Sequence, residues 1–402
     1  MELVIPALLI LAVSGALSFK WKYFGLAGAL VAAIMTSVNH PVILMIFIVA
    51  LLNLVSFDLM RGFLRGIDYT LVGLIFVATV YAFYTQSLAM LLTMFVAASV
   101  PTYMLVMTAD KDIRMDVGIK YITFMVIATI LFIMGAVILI SSVNTPLYYI
   151  GYAMLLIGLA IEVGVAPFHE WVPDVFDAAD PIPISVVASI AKFVPFIVAY
   201  KILTTVQIDY NLLVFTGIIS SISMFIGNIG GLTSTKPARI LAYSTVANMG
   251  YILATLSVIA RPEFIYIAFA GALLQLITNA FGKVGFFVGI KDGGASPISS
   301  YLIALSFIGL PPLMGFWGKF YILMSLVYAN IIWLAAILVI NSAMSVPYYI
   351  RLAKLVGIGS QRSLAATIVG ICALIMFLTV VPPDWVIESS KILTNYLTIG
   401  GV

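Results

Sequence analysis

Fourteen apolar runs of bilayer length fill most of this 402-residue chain and decide what it can fold into. A helix needs about 20 apolar residues to cross the hydrocarbon core of a membrane. In lipid, every backbone N–H and C=O group must be paired within the protein, which an open sheet cannot achieve. The sequence therefore predicts an all-α polytopic membrane protein. Its candidate spans, numbered from the N-terminus, are 1–19, 22–38, 41–57, 68–84, 87–108, 119–142, 147–166, 184–204, 210–232, 239–260, 263–289, 298–324, 328–350 and 364–382.

The composition excludes a soluble enzyme and a nucleic-acid-binding protein. The chain is 63% hydrophobic and 9% charged, and its net charge of +3 is too small to indicate binding to nucleic acid. No polar stretch is long enough to fold separately, so we expect one membrane domain over residues 1–402. The first run begins with Glu2 and lacks a basic leading segment, so we interpret it as a retained span and not as a cleaved signal.

Basic residues are distributed unevenly between the two sets of loops. In membrane proteins, the excess of Lys and Arg marks the cytoplasmic loops. Loops after odd-numbered spans carry thirteen: Lys20, Lys22, Arg61, Arg65, Lys111, Arg114, Lys120, Lys236, Arg239, Lys291, Arg351, Lys354 and Arg362. Loops after even-numbered spans, with the C-terminal tail, carry three: Lys201, Arg261 and Lys391. This asymmetry predicts that the odd-numbered loops are cytoplasmic and that both termini lie outside.

Four charged residues lie within the spans and form the expected buried ionic set. They are Lys192, Lys283, Lys319 and Glu162. A charge at bilayer depth costs several kcal/mol, so such residues face protein or water and mark ion pathways. The ordinary alternative is that a lysine near a span end extends to the interface, or that the charges are structural.

Polar side chains accompany these charges at helical spacing. Ser185 and Ser189 share a predicted face with Lys192, and Gln275 and Asn279 precede Lys283 at steps of four. The tenth span adds a stripe of its own, made of Ser244, Asn248, Tyr251 and Thr255. A single serine or asparagine in a membrane helix usually packs helices together, but continuous stripes can hold water between titratable groups.

Two spans carry prolines next to a buried charge. Glu162 precedes Pro167 in the seventh span, and Pro311 and Pro312 precede Lys319 in the twelfth. Proline removes a helical hydrogen bond, and paired broken helices are typical of inverted-repeat transporters. We therefore expect two inverted five-helix repeats, at 67–205 and 206–355. N-terminal helices at about 1–66 and a C-terminal helix at about 356–402 would flank them.

Four segments around these residues resemble one family. They are APFHEWVPDVFDAADPIPISVVASIAKF (166–193), ARILAYSTVANMGY (238–251), NAFGKVGFF (279–287) and GLPPLMGFWGKFY (309–321). They are similar to motifs of the antiporter-like membrane subunits of respiratory complex I, closest to NADH-quinone oxidoreductase subunit N. The family also includes deazaflavin and ferredoxin oxidoreductases, energy-converting hydrogenases and multisubunit sodium/proton antiporters. The resemblance implies proton translocation along a central chain of lysines.

The resemblance assigns relay roles to Lys192, Lys283 and Lys319, with Glu162 where the family usually has a lysine. Ser189, Asn248, Gln275, Asn279, His169 and the prolines 167, 311 and 312 are expected to support the relay. The family's usual glutamate falls on Val96, and its usual histidine falls on Asn248. Our hypothesis is that the ion pair has moved, so that Glu162 pairs with Lys192. The alternative is that this chain has lost pumping and serves as a scaffold.

The same resemblance implies partners that carry the redox chemistry. One cysteine, Cys372, and two histidines cannot hold an iron–sulfur cluster, and we interpret His169 as a loop or relay-entry residue. We expect no cofactor in this chain, with Fe–S clusters, flavin and quinone in partner subunits. Expected partners are other antiporter-like subunits, small membrane subunits, peripheral redox subunits and lipid, in an archaeal or bacterial cell membrane. A multisubunit sodium/proton antiporter and a non-pumping structural subunit remain the alternatives.

Overall fold

The computed structural model describes residues 3–37, 40–60, 66–107, 115–141, 146–359, 363–379 and 383–400. Within these ranges the chain is helical and contains no strand. The α-helices are α1 Val4–Ser18, α2 Lys22–Thr36, α3 Pro41–Ser56, α4 Gly66–Tyr84, α5 Leu88–Met107, α6 Met115–Ser141, α7 Leu147–Val163, α8 Trp171–Ala178, α9 Pro181–Ala188, α10 Phe193–Thr205, α11 Tyr210–Thr233, α12 Pro237–Ala254, α13 Ile265–Lys291, α14 Pro297–Ile308, α15 Met314–Tyr328, α16 Ile332–Met344, α17 Val346–Val356, α18 Leu364–Leu378 and α19 Asp384–Thr394.

Fourteen helical segments of the described chain match the fourteen predicted spans one for one. In the described ranges, nine helical segments are long and apolar enough to cross a membrane, and five shorter apolar helices fall on the remaining predicted spans. The shorter ones are α1, α2, α7, α14 and α18. The all-α polytopic membrane fold is therefore confirmed. Both predicted interruptions are present. Helix α7 ends before Pro167 and α8 follows beyond the seventh span, whereas α14 and α15 share the twelfth.

Helix α13 lies at the centre of the molecule. Every residue from Ile267 to Gly289 is buried, and the helix packs against α3, α9, α12, α15, α18 and α19. Because a side chain on any face of α13 meets protein, its polar residues Gln275, Asn279 and Lys283 must find partners among these neighbours. Helix α13 thus packs against α9, which leads to Lys192, and against α15, which carries Lys319.

Both interrupted spans turn in the same way. Helix α7 ends at Gly164 with φ 82°, and α14 ends at Gly309 with φ 88°. In each turn the glycine N–H and the next N–H donate back to carbonyls of the last helical turn, the pattern of a Schellman cap. Only glycine adopts this left-handed conformation without steric cost. Each turn also contains a cis X-Pro bond, Ala166–Pro167 in one and Pro311–Pro312 in the other.

A third break in the eighth span was not predicted. Helix α9 ends at Ala188, a 3₁₀ turn covers Ile190–Lys192, and α10 begins at Phe193. Pro195 explains it, because proline has no N–H to donate to the carbonyl of residue 191 and its ring crowds that carbonyl. Ser185, Ser189 and Lys192 therefore do not form a regular α-helical stripe, contrary to expectation.

Acidic residues of the segment after Pro167 bind groups of α6, α9, α12 and α13 at one end of these helices. Asp174 and Asp177 on α8 pair with Lys120, Lys236 and Arg239, which belong to α6 and the start of α12. Asp180 caps α9 by accepting from the Ile182 N–H at 3.0 Å, and also pairs with Lys291 at the end of α13. Exposed pairs contribute little individually, but together they fix the position of α8 beneath the first break.

The expected set of buried charges was incomplete. Lys201 does not lie in a loop but within α10, where it is 1% exposed and donates to the Thr85 carbonyl at 2.7 Å. Asp68 and Asp180 are buried as well. Among the thirteen basic residues assigned to the cytoplasmic side, Arg61, Arg65, Lys111, Arg114 and Arg362 lie outside the described residues.

Replacing Gly164 with alanine tests the left-handed cap. A Cβ at Gly164 would lie 2.5 Å from the Val172 Cγ2 atom and would force a non-glycine residue into positive φ. We expect Gly164→Ala to lower stability by about 1–2 kcal/mol, read as a lower apparent Tm in detergent. The matched control is Gly370→Ala in α18, where an added Cβ meets nothing within 4 Å. Equal Tm values for the two variants would contradict the cap.

Candidate functional site

Lys192 caps the broken end of α7. Its Nζ donates to the backbone carbonyl of Glu162 at 2.9 Å, in the last turn of that helix. The indole Nε1 of Trp171 donates to the preceding carbonyl, that of Ile161, at 2.9 Å. These carbonyls form the negative end of the helix dipole, so they stabilise a buried ammonium. Lys192 satisfies the free carbonyl of Glu162, and Trp171 gives the Ile161 carbonyl a second donor beside the Gly164 N–H.

An aromatic ring completes the Lys192 environment. The ammonium lies 5.1 Å from the centroid of the Trp171 ring, a cation–π geometry, and the side chain is 3% exposed. Tyr121 of α6 packs against the same indole at 5.1 Å. Trp171 therefore holds both the end of α7 and the lysine that caps it.

Lys319 makes the equivalent contacts at the other break. Its Nζ donates to the carbonyls of Phe307 and Ile308 at 2.9 and 3.0 Å, at the end of α14, and to the Ser342 hydroxyl at 3.0 Å. The Tyr251 ring lies 5.1 Å from the ammonium. Glu162 and Phe307 each stand five residues before the last proline of their break. Corresponding carbonyls of the two breaks thus each receive a lysine.

The Glu162 carboxylate does not form the expected direct ion pair. Within the described residues, Lys192 contacts the main chain of Glu162, and Oε2 of the carboxylate has no hydrogen-bond partner. The two charges still attract each other, and Ser99 of α5 faces the carboxyl group. The freed carbonyl competes for the ammonium because its lone pairs have no helical donor. The hypothesis placed the right residues together but chose the wrong acceptor atom.

Lys283 belongs to a hydroxyl and amide network. Fully buried on α13, it donates to the Leu241 carbonyl at 2.6 Å and to the Ser244 hydroxyl at 2.9 Å. Ser244 in turn bonds the Tyr349 hydroxyl at 2.7 Å, which also accepts from the Asn248 amide at 3.0 Å. No carboxylate contacts this lysine in the described part of the chain. The structure places Lys283 on the eleventh span.

The other polar residues of α13 bind α12 and the end of α9. Gln275 donates to the Asn248 Oδ1 atom at 2.7 Å, and Asn279 donates to the carbonyl of Ala188 at 2.9 Å. Ala188 immediately precedes Ser189, where the eighth span breaks. No hydrogen bond joins one relay lysine directly to another among the residues described. The arrangement can hold three protons at separate points, and movement between them requires water in the gaps.

The residues of the two proline turns lie nearer the surface. Pro167, Pro311 and Pro312 are exposed, and His169 is half-buried with its ring 6.2 Å from that of Tyr243. The Trp317 Nε1 donates to the Pro312 carbonyl at 3.2 Å. Lys319 also lines an open cleft of about 300 Å³, so the second break is reachable from outside the chain.

Two buried polar residues of the site were missed. Asn53 of α3 accepts from Ser185 at 2.8 Å and donates to Ser189 at 3.0 Å, which supports the break near Lys192. As the sole amide in an apolar run, it was detectable. Tyr349 gave no such signal, because tyrosines near span ends ordinarily lie at the membrane interface.

Comparison with known proteins shows which family this chain belongs to. The family model described as NADH:quinone oxidoreductase/Mrp antiporter, TM, matches residues 85–296 and 295–345. NADH-quinone oxidoreductase subunit N 2 of Aquifex aeolicus is 34% identical over 223 residues, covering 50% of this chain and 45% of that protein. This chain therefore spans about half the length of that relative. Subunit N of Neisseria gonorrhoeae is 26% identical over 398 residues, covering 85% of this chain and 80% of that protein.

Solved structures show the same fold. A chain of respiratory complex I from Thermus thermophilus aligns with a TM-score of 0.78 at 22% identity, covering 95% of this chain and 98% of that one. A chain of the archaeal membrane-bound sulfane sulfur reductase aligns with a TM-score of 0.81 at 16% identity, covering 98% of both chains.

Substituting Trp171 tests its anchoring role. Trp171→Phe removes the hydrogen bond to the Ile161 carbonyl and part of a buried ring. We therefore expect the free energy of unfolding to fall by about 1–3 kcal/mol. The measurement is the apparent Tm in detergent, compared with Trp333→Phe, whose indole is 39% exposed. Similar Tm values for the two variants would show that Trp171 does not hold the end of α7.

Proposed function

The chain belongs to the NADH:quinone oxidoreductase/Mrp antiporter membrane family, and from that premise we propose that it translocates protons as an antiporter-like subunit of a redox-driven respiratory complex. One observation carries the proposal. Besides Lys201, three lysines are buried within the spans, two of them at corresponding helix breaks, and none of the three forms an ion pair in the described part of the chain. A structural charge would be expected to have a carboxylate partner.

Each lysine is bound in a way that permits proton exchange. The ammonium groups are held by carbonyls, hydroxyls and rings, all of which can also accommodate a neutral amine. Releasing a proton from Lys192 or Lys319 weakens the cap of a helix end, so the protonation state is linked to the geometry of the break. Lys283 lies between the two, on the central helix.

Glu162 adjusts the first lysine through space. Its carboxylate attracts Lys192 without occupying the ammonium's hydrogen bonds, so the lysine stays free to exchange its proton. This arrangement keeps one negative charge near the first relay position, although Val96 takes the place of the usual glutamate on α5. It supports a relocated charge pair over a scaffold that has lost pumping.

We assign the redox centres to partner subunits. The chain has one cysteine, Cys372, which is buried, so its residues do not fit an iron–sulfur cluster. Fe–S clusters, flavin and quinone would lie in peripheral and small membrane subunits, beside other antiporter-like subunits and lipid. The proposed location is an archaeal or bacterial cell membrane with both termini outside, supported by the distribution of basic residues.

Co-purification tests membership of a redox complex. The chain would be isolated from native membranes in mild detergent, and its companions identified by mass spectrometry and iron content. Co-purifying iron–sulfur proteins would support the proposal and would identify the electron donor. Companions limited to other antiporter-like subunits, without iron, would favour sodium/proton exchange instead.

Removing the first relay lysine should abolish pumping. Lys192→Met keeps a long apolar side chain but loses the charge, and we expect the rate of proton uptake by vesicles carrying the complex to fall at least tenfold. Lys391→Met, at an exposed lysine of α19, is the matched control. If both variants acidify the vesicle lumen at the wild-type rate, the chain is a non-pumping scaffold.

Neutralising Glu162 should have a smaller effect. Glu162→Gln retains the backbone carbonyl that binds Lys192 but removes the attraction between the two charges. We expect pumping to slow several-fold while the complex remains assembled, because the lysine keeps its hydrogen bonds. A wild-type pumping rate in this variant would exclude the relocated charge pair.

A further inference from the structure

Tyr349 is the one group of the Lys283 network whose role neither the sequence motifs nor the matched breaks explain. It lies on α17 and is 1% exposed, and its hydroxyl reaches Lys283 through a single intermediate, Ser244. The Phe307 ring stacks against it at 5.1 Å, which holds the phenol in place. A tyrosine this deep must donate and accept within the protein.

The hydrogen bond between Ser244 and Tyr349 can run in either direction. When Lys283 is charged it donates to Ser244, whose two lone pairs and one hydrogen allow it either to donate to Tyr349 or to accept from it. Tyr349 also accepts from the Asn248 amide. When Lys283 is neutral its lone pair can accept from Ser244, and both hydroxyls can then point inward. The three groups therefore offer both orientations, which transfer of a proton through them requires.

We propose that Tyr349 and Ser244 form a two-hydroxyl proton path to Lys283, with Tyr349 as its outer member. This inference rests on the proposed function. In one passage, a proton binds the Tyr349 oxygen as the phenolic hydrogen moves to Ser244, and the Ser244 hydrogen moves to the Lys283 amine. The amine becomes an ammonium, and each hydroxyl regains one hydrogen. No electrons move, and the proton comes from water.

The helix that carries Tyr349 leads to the basic side of the molecule. From Tyr349, α17 continues towards Arg351 and Lys354, on the side that the charge distribution assigns to the cytoplasm. The Arg351 guanidinium binds the carbonyls of Gly231 and Leu232, the last turn of α11, and so fixes α17 against that end. We therefore expect the path to supply Lys283 from the cytoplasmic side.

The test removes one hydroxyl at a time in the assembled complex. Tyr349→Phe keeps the ring and its stacking, and Ser244→Ala removes the second hydroxyl. In vesicles energised with the donor that the co-purified subunits oxidise, we expect each variant to pump protons at least fivefold more slowly. Because the two hydroxyls act in series, the double variant should be no slower than either single one. A larger solvent deuterium isotope effect should accompany the slowing.

The matched control is Tyr152→Phe, a tyrosine of α7 that is also 1% exposed and bonds a hydroxyl, that of Thr216. It should pump normally. Wild-type pumping by Tyr349→Phe, equal slowing by Tyr152→Phe, or additive losses in the double variant would overturn the path. A wild-type complex that moves no protons would instead overturn the proposed function on which the path rests.

Discussion

Carbonyl groups freed at membrane depth are the constraint on which the rest of this structure depends. Each interrupted span leaves acceptors at a helix end that lipid cannot satisfy. Side chains that are costly to bury satisfy them. Lys192 and Trp171 donate hydrogen bonds to carbonyls at the end of α7, and Lys319 donates to a carbonyl at the end of α14. The hydrogen bonds between the ammonium groups and the freed carbonyls offset part of the cost of burying the charge and part of the cost of breaking the helix.

This pairing explains how Lys192 and Lys319 persist without carboxylate partners. A helix C-terminus stabilises a nearby cation by up to about 2 kcal/mol in partly buried geometries, and a ring beneath it adds a comparable amount. A lysine held by dipoles is not neutralised, so its proton remains exchangeable. An ion pair within hydrogen-bonding distance would hold that proton more firmly. The unpaired oxygen of Glu162 fits this division between main-chain binding and through-space attraction.

The sequence was most informative where a single physical rule decides the outcome. Apolar length predicted the spans, and proline beside a buried charge predicted the two breaks. Prediction from the sequence failed where several groups compete to accept a hydrogen bond from the same lysine. Lys192 was assigned to the Glu162 carboxylate because the sequence does not show that the carbonyl of the same residue is closer. Lys201 was placed in a loop because its acceptor, Thr85, lies in another part of the chain. The hydrogen bonds of Tyr349 arise only where α12, α13 and α17 meet.

The most direct test of the central claim is an experimental structure of the assembled complex, by electron cryomicroscopy at a resolution that shows side-chain atoms and ordered water. The account predicts Lys192 Nζ within hydrogen-bonding distance of the Glu162 carbonyl and Lys319 Nζ on the Phe307 carbonyl, with water between the lysines. The account would be contradicted by a map in which Lys192 Nζ donates to the Glu162 carboxylate and another group caps the end of α7.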